Sequence, residues 1–153
     1  FLMSPVERKV PMSEQPTTDR IISCLAHVCF TVSDLERSVD FYCNKLGMTR
    51  AFEFRRPDGT WFGQYVHAGG RNFIELFIGS LQAPAEGQSF RHICLEVEDI
   101  EHTVATLRQR GVEVGEIKLG GDHAYQAWLA DPDGNRIELH QYTPEARQVA
   151  FLE

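Results

Sequence analysis

No stretch of about 20 consecutive apolar residues occurs in the chain, which is the length a membrane-crossing helix requires; the longest apolar segments are short ones such as NFIELFIG and HVCFTV. Basic clusters are missing as well. With 15 Lys and Arg against 22 Asp and Glu, the net charge is −7, and a nucleic-acid partner, which wants a concentrated basic face, is not expected. Four cysteines (Cys24, Cys29, Cys43, Cys94) show no CxxC spacing. They lie in apolar patterns, so buried free thiols are expected rather than disulfides or zinc knuckles. The segment FLMSPVERKVPMSEQPTTDR has no apolar core followed by small residues, so it does not read as a signal peptide, and the expected compartment is cytoplasmic. What remains, 42% hydrophobic and 24% charged over 153 residues, is an ordinary globular composition, sized for one compact domain or two small repeats sharing a core.

Residues 1–20 are polar and aperiodic and hold Pro5, Pro11 and Pro16, which predicts a tail or arm. A domain is expected over 21–143, followed by a C-terminal extension over 144–153. Within that domain the chain says nearly the same thing twice, in one module at about 24–79 and another at about 90–143. LAHVCFTVSDLERSVDFY is echoed by FRHICLEVEDIEHTVATL, and RNFIELF by NRIELHQ. In the first module, Val28, Phe30 and Val32 alternate with His27, Cys29 and Thr31, predicting a strand. Ser33 as N-cap with Glu36 predicts a capping box for a helix running to Leu46, stopped by Gly47. Strands are expected at Thr49–Arg55, Trp61–His67 and Asn72–Phe77. The second module predicts a strand at His92–Val97, a helix at Ile100–Arg110 closed by Gly111, and strands at Val112–Lys118, Tyr125–Ala130 and Arg136–Tyr142 around the tight DPDG turn. Each module is therefore β-α-β-β-β, and two such units, each too small to bury its sheet alone, would pack together. The expected class is α+β: a curved, mostly antiparallel sheet around a cavity.

Each copy holds one His and one Glu at matching positions. His27 precedes Glu75 by 48 residues, and His92 precedes Glu138 by 46. Ile74 and Leu76, like Ile137 and Leu139, belong to the helix-packed face, so Glu75 and Glu138 face the other way, as His27 and His92 do. Two imidazoles and two carboxylates on a concave face suit a divalent ion, Ni²⁺, Co²⁺, Mn²⁺, Fe²⁺ or Zn²⁺.

Both halves resemble the vicinal oxygen chelate superfamily of paired βαβββ modules, and within it the glyoxalase I (lactoylglutathione lyase) branch. The resemblance covers about 25–143 and is carried by VSDLERSVDFYCNKLGM, FIELF, RHICLEVEDI and DPDGNRIEL. It implies that His27, Glu75, His92 and Glu138 are metal ligands, one ion per site, and that the protein is a homodimer acting on a small molecule. The implied activity is a metal-dependent lyase or isomerase acting on an α-oxygenated carbonyl compound through a metal-bound enediolate. Glutathione-using members of the branch usually carry Arg four residues after the first ligand and Asn four after the second; this chain has Thr31 and Gly79 there. Thr cannot replace the bidentate donor of Arg, so glutathione recognition does not follow. GTWFGQYVHAGGRNFIELF also resembles superfamily members encoded beside sugar-metabolism enzymes. An isomerase or epimerase of a sugar-derived substrate, a ring-cleaving Fe(II) dioxygenase and a non-catalytic resistance binding protein are the alternatives.

In the glyoxalase-like branch a ligand Glu can detach and act as base, which makes Glu138 the first catalytic candidate and Glu75 its counterpart. His140, two residues beyond Glu138 on the same strand, faces the same way and is the third, as a proton shuttle or a partner of substrate hydroxyls. Its plain alternative is a solvent-bonded histidine at the rim. Trp61, Tyr65, Gln126 and Trp128 are candidate pocket residues, and Arg55, Arg56 and Lys118 candidate anion anchors. His67 and His123 are expected at the surface.

Overall fold

The computed structural model describes residues 22, 24–82 and 87–152. The expected tail over 1–20 lies outside these residues. The first module runs β1 (His27–Val32), α1 (Leu35–Val39) continued by a π-helical segment (Asp40–Lys45), β2 (Thr49–Arg55), β3 (Trp61–Gly69) and β4 (Asn72–Ile78). The second runs β5 (Ile93–Glu96), α2 (Ile100–Gln109), β6 (Lys118–Leu119), β7 (Tyr125–Ala130) and β8 (Arg136–Gln141), and a 3-10 helix follows at Arg147–Phe151. The βαβββ order is thus realised twice, and the class is α+β. The strands form two four-stranded sheets, ordered β1-β4-β3-β2 and β5-β8-β7-β6. In each, the module's first strand lies parallel to its last and the other pairings are antiparallel.

Both helices start on an aspartate. Asp34 is extended, with φ −144° and ψ 107°, and its carboxylate accepts the Arg37 N–H; Asp99, at φ −137° and ψ 102°, accepts the His102 N–H in the same way. Such caps satisfy one of the orphan donors of a first helical turn. The expected cap at Ser33 is corrected by one residue, because Ser33 is engaged elsewhere: its backbone N–H and hydroxyl both bond Asp133. The expected regular helix to Leu46 is corrected too. From Asp40 the turn widens, Leu46 N–H reaching Phe41 C=O at 2.9 Å, and adjacent Phe41 and Tyr42 are both buried. A π-turn lets neighbouring bulky residues share a buried face that an ordinary α-turn would divide.

The strand expected at Val112–Lys118 shrinks to Lys118–Leu119. Val112 and Val114 are buried, yet the carbonyls of Val114 and Gly115 accept from the Arg108 guanidinium rather than from a neighbouring strand. One backbone bond, Gly115 N–H to Trp128 C=O at 2.8 Å, remains.

One core spans both modules. It includes Val32, Val39, Ile74 and Leu76 from the first and Ile100, Leu107, Ile137 and Leu139 from the second. The DPDGN turn is its polar fastening. Asp131, buried, accepts the Tyr42 hydroxyl at 2.8 Å along with the Asn135 backbone and side-chain N–H groups. Asp133 takes Ser33 and the Arg37 guanidinium, the latter at 3.1 Å. A buried carboxylate is tolerated only when its oxygens are bonded in this way.

Candidate active site

With Ile74, Leu76, Ile137 and Leu139 buried in the core, strand alternation turns the intervening residues onto the opposite, open face of each sheet. On the first sheet His27 Nε2 lies 3.2 Å from Glu75 Oε2. On the second, His92 Nε2 lies 3.1 Å from Glu138 Oε2. Each ring is steadied by an aromatic neighbour. Tyr65 Oη is 3.3 Å from His27 Nδ1, and the Trp128 ring meets His92 edge-on at 4.8 Å. The Trp128 indole N–H in turn donates to Gln126.

The two pairs do not meet within one chain. Among the described residues, the group of three metal-ligand-type side chains with atoms mutually within 4.8 Å is Cys94, Glu138 and His140, and neither His27 nor Glu75 joins it. A cleft of about 750 Å³ between the modules reaches His27 on one side and Cys94 and His140 on the other. Glu75, His92 and Glu138 do not line it.

His140 is not a rim residue. It is 8% exposed, with Nδ1 3.4 Å from Glu138 Oε1 and Nε2 3.6 Å from Asp122 Oδ2. Asp122 comes from the β6–β7 loop, which sequence reasoning passed over; its GGDH run looks like any turn. Gln148 of the 3-10 helix donates to Asp122 Oδ2 at 2.6 Å, and the Arg147 N–H bonds the Asp122 carbonyl. The Gln148 bond, helped by the Ala124 N–H, holds the Asp122 carboxyl below the usual carboxylate range.

The thiols also differ from expectation. All four cysteines are free, but Cys24, Cys29 and Cys94 are exposed and Cys43 is half-buried. Apolar neighbours in sequence misled here, because on a strand they point the other way. Cys29 stands opposite Glu75 in the β1–β4 register, and Cys94 opposite Glu138 in the β5–β8 register. Partial burial and then the Glu138, Asp122 and Glu96 charges push the Cys94 thiol up to about 12. Burial and Glu75 raise Cys29 in the same direction.

Around His27 the open face of the first sheet is aromatic. Tyr65 stacks on Phe52 at 4.5 Å and touches Phe54 and Phe73, and Phe54 touches Phe62 and Phe77. Trp61 is partly buried under the Arg50 guanidinium. Arg55 is paired with Glu53, and Arg56 lies over the Phe62 ring. His67 bonds the Gly70 carbonyl, and His123 holds a left-handed turn at φ 66°. Thr31 and Gly79 are neighbours: a Cβ added at Gly79 would fall 2.7 Å from Thr31 Cγ2.

The profile of the Glyoxalase/Bleomycin resistance protein/Dioxygenase superfamily matches residues 24–139. The chain belongs to this superfamily. It is 35% identical over 125 residues to a probable lactoylglutathione lyase of Synechocystis sp., covering 76% of this chain and 94% of that one. To the lactoylglutathione lyase of Salmonella typhimurium it is 32% identical over 123 residues, covering 75% and 90%. Among solved structures, TnmS3, an antibiotic binding protein from Streptomyces sp. CB03234, superimposes with a TM-score of 0.66 at 29% identity, covering 80% of this chain and 98% of that one. The superfamily therefore includes near relatives named as lyases and one named as a binding protein. No helix among the described residues is long and apolar enough to cross a membrane.

Proposed function

We propose that the protein is a divalent-metal-dependent lyase or isomerase of the glyoxalase I type, acting on a small α-oxygenated carbonyl compound. The observation that carries this reading is the pair of His–Glu contacts, at 3.2 and 3.1 Å, on equivalent strands of two related sheets. The donor chemistry fits a cation such as Ni²⁺, Co²⁺, Mn²⁺, Zn²⁺ or Fe²⁺. Each imidazole presents Nε2 on the side of its carboxylate, and Tyr65 at His27 Nδ1 leaves Nε2 as the ligand atom. A cation held by His27, Glu75, His92 and Glu138 would supply Lewis acidity to adjacent substrate oxygens and so acidify the C–H on the carbon next to the carbonyl. Glu138 takes that proton and returns it to the neighbouring carbon, and Glu75 serves the opposite side. His140, whose Nδ1 lies 3.4 Å from Glu138 Oε1, is close enough to relay its proton.

The four-residue set is completed by a second copy of the chain. Within one protomer the half-sites remain apart, and a twofold dimer places the open face of one first sheet against the second sheet of its partner. Mixing Glu75→Gln chains with Glu138→Gln chains tests this directly. Shared sites give each mixed dimer one intact set of its two, so random exchange, which makes about half of the dimers mixed, restores about a quarter of the wild-type turnover, whereas sites held within single chains give no gain over the unmixed variants.

Glutathione recognition is the weaker part of the likeness, because Thr31 and Gly79 close on each other and leave no bidentate donor for a carboxylate. The function test is an assay with methylglyoxal, alone and with thiols including glutathione, on protein loaded with each metal. Turnover that depends on metal and on Glu138 supports the reading; no turnover with any metal and thiol sinks it.

The same aromatic face, together with the likeness to TnmS3, favours a second reading as a binding protein for a flat apolar molecule. Saturable binding of a polycyclic aromatic ligand by metal-free protein, with no turnover, would select it.

A further inference from the structure

The two modules differ at one position beside their Glu. Two residues after Glu75 stands Phe77; two residues after Glu138 stands His140. In the first sheet Cys29 and Glu75 therefore have an aromatic ring beside them, and in the second Cys94 and Glu138 have an imidazole. Cys94 Sγ, a Glu138 oxygen and a His140 nitrogen lie within 4.8 Å of one another. His140 is more than nine-tenths buried, and neither of its ring nitrogens has a hydrogen-bond partner. Buried polar atoms without partners are rare and costly. The nearest oxygens, on Glu138 and Asp122, stand at 3.4 and 3.6 Å.

Glu138 is divided between two neighbours. Its Oε2 faces His92, and its Oε1 faces His140. We propose that Cys94, Glu138 and His140 form a second cation position, selective for thiophilic divalent ions such as Zn²⁺, Co²⁺ and Cd²⁺, which shares Glu138 with the His92 half-site. One sulfur, one nitrogen and one oxygen, with a position left open, match the four-coordinate preference of Zn²⁺ and Co²⁺. Hard ions such as Mg²⁺ and Mn²⁺ gain nothing from the sulfur. Binding forms the sulfur–metal bond as the thiol proton leaves to solvent, and no electron is transferred; the ion supplies the charge that makes the thiolate stable. Under the function proposed above, an ion here draws Glu138 away from the first position and slows turnover.

Cobalt absorbance reads this position without any activity. Purified protein, reduced and free of metal, is titrated with Co²⁺ while bound metal is counted by elemental analysis. A thiolate-to-cobalt charge-transfer band in the near ultraviolet is expected in the wild type and in Cys29→Ser. It is expected to vanish in Cys94→Ser. In His140→Phe, which installs the first module's residue, the cobalt concentration at half-development should rise by at least the roughly 10–100-fold that outer-shell partners alone can be worth. Circular dichroism checks that each variant is folded. No band in saturated wild type, a band that survives Cys94→Ser, or one lost in Cys29→Ser overturns the proposal. Because the band reports a sulfur ligand only, a failed methylglyoxal assay leaves it intact, and loss of the band leaves the His27/Glu75/His92/Glu138 reading intact.

Discussion

The first and second sheets share a topology and carry a His–Glu pair at the same place, yet their open faces are furnished in opposite ways. Beside His27 and Glu75 stand Phe52, Tyr65, Phe73 and Phe77. Beside His92 and Glu138 stand Cys94, His140 and Asp122. The two sheets repeat the His–Glu pair; the wall beside it differs, apolar in one and titratable in the other. An apolar wall positions a substrate and excludes water, and a polar wall moves protons. Under the proposed function, proton transfer falls to the second sheet and substrate contact to the first.

The largest effect that bears on this division is expected from the two glutamates. Glu138→Gln should lower turnover by about 10²–10⁴-fold, the usual worth of a general base. Glu75→Gln should weaken metal binding but leave a larger residual rate. Steady-state kinetics at saturating metal separates the two, and equal losses would erase the distinction. Next comes Tyr65→Phe. It removes the bond to His27 Nδ1 and should weaken metal binding by about 10–100-fold, measured by competition with a chromophoric chelator. If affinity is unchanged, the aromatic wall does not orient its histidine.

Stability effects are smaller. Tyr42→Phe leaves the buried Asp131 carboxylate one donor short and should cost about 1–3 kcal/mol in urea unfolding. The matched caps give an internal control, since Asp34→Ala and Asp99→Ala should each cost about 1 kcal/mol. A much larger loss at Asp34 would mean that the π-helical segment depends on its short α-helical start. The smallest effect concerns acid. Because its bond from Gln148 holds the folded Asp122 carboxyl below its unfolded value, the stabilisation is present above the ordinary carboxylate range and is lost as pH falls through the depressed value. Asp122→Asn should therefore flatten the acid limb of the stability profile, read by thermal melts across pH.

Much of the fold could be read from period-two alternation. His27, Glu75 and Glu138 face away from Ile74, Leu76, Ile137 and Leu139 because a strand allows nothing else. What alternation could not reach were contacts made by chain with no period. Asp122 meets His140 only because a loop and the 3-10 helix converge there, and residues 112–117 read as a strand because Val112 and Val114 alternate, although Arg108 takes the carbonyls a strand partner would use. The DPDGNRIEL motif, the surest mark of kinship, proved half structural. Its aspartates fasten the modules together, and Glu138 is the residue of the motif that the proposed chemistry uses.

That fastening bears on how the chain can be divided. Tyr42, Ser33 and Arg37 supply the donors from the first module, while Asp131 and Asp133 supply the acceptors from the second. Cut within the linker at 80–89, each half would keep a complete sheet and one His–Glu pair but expose an unmatched half of the seam. Two such pieces, expressed separately, should be poorly soluble alone and recover a folded complex when mixed, so the seam acts as a recognition code by which one repeat selects the other over a second copy of itself.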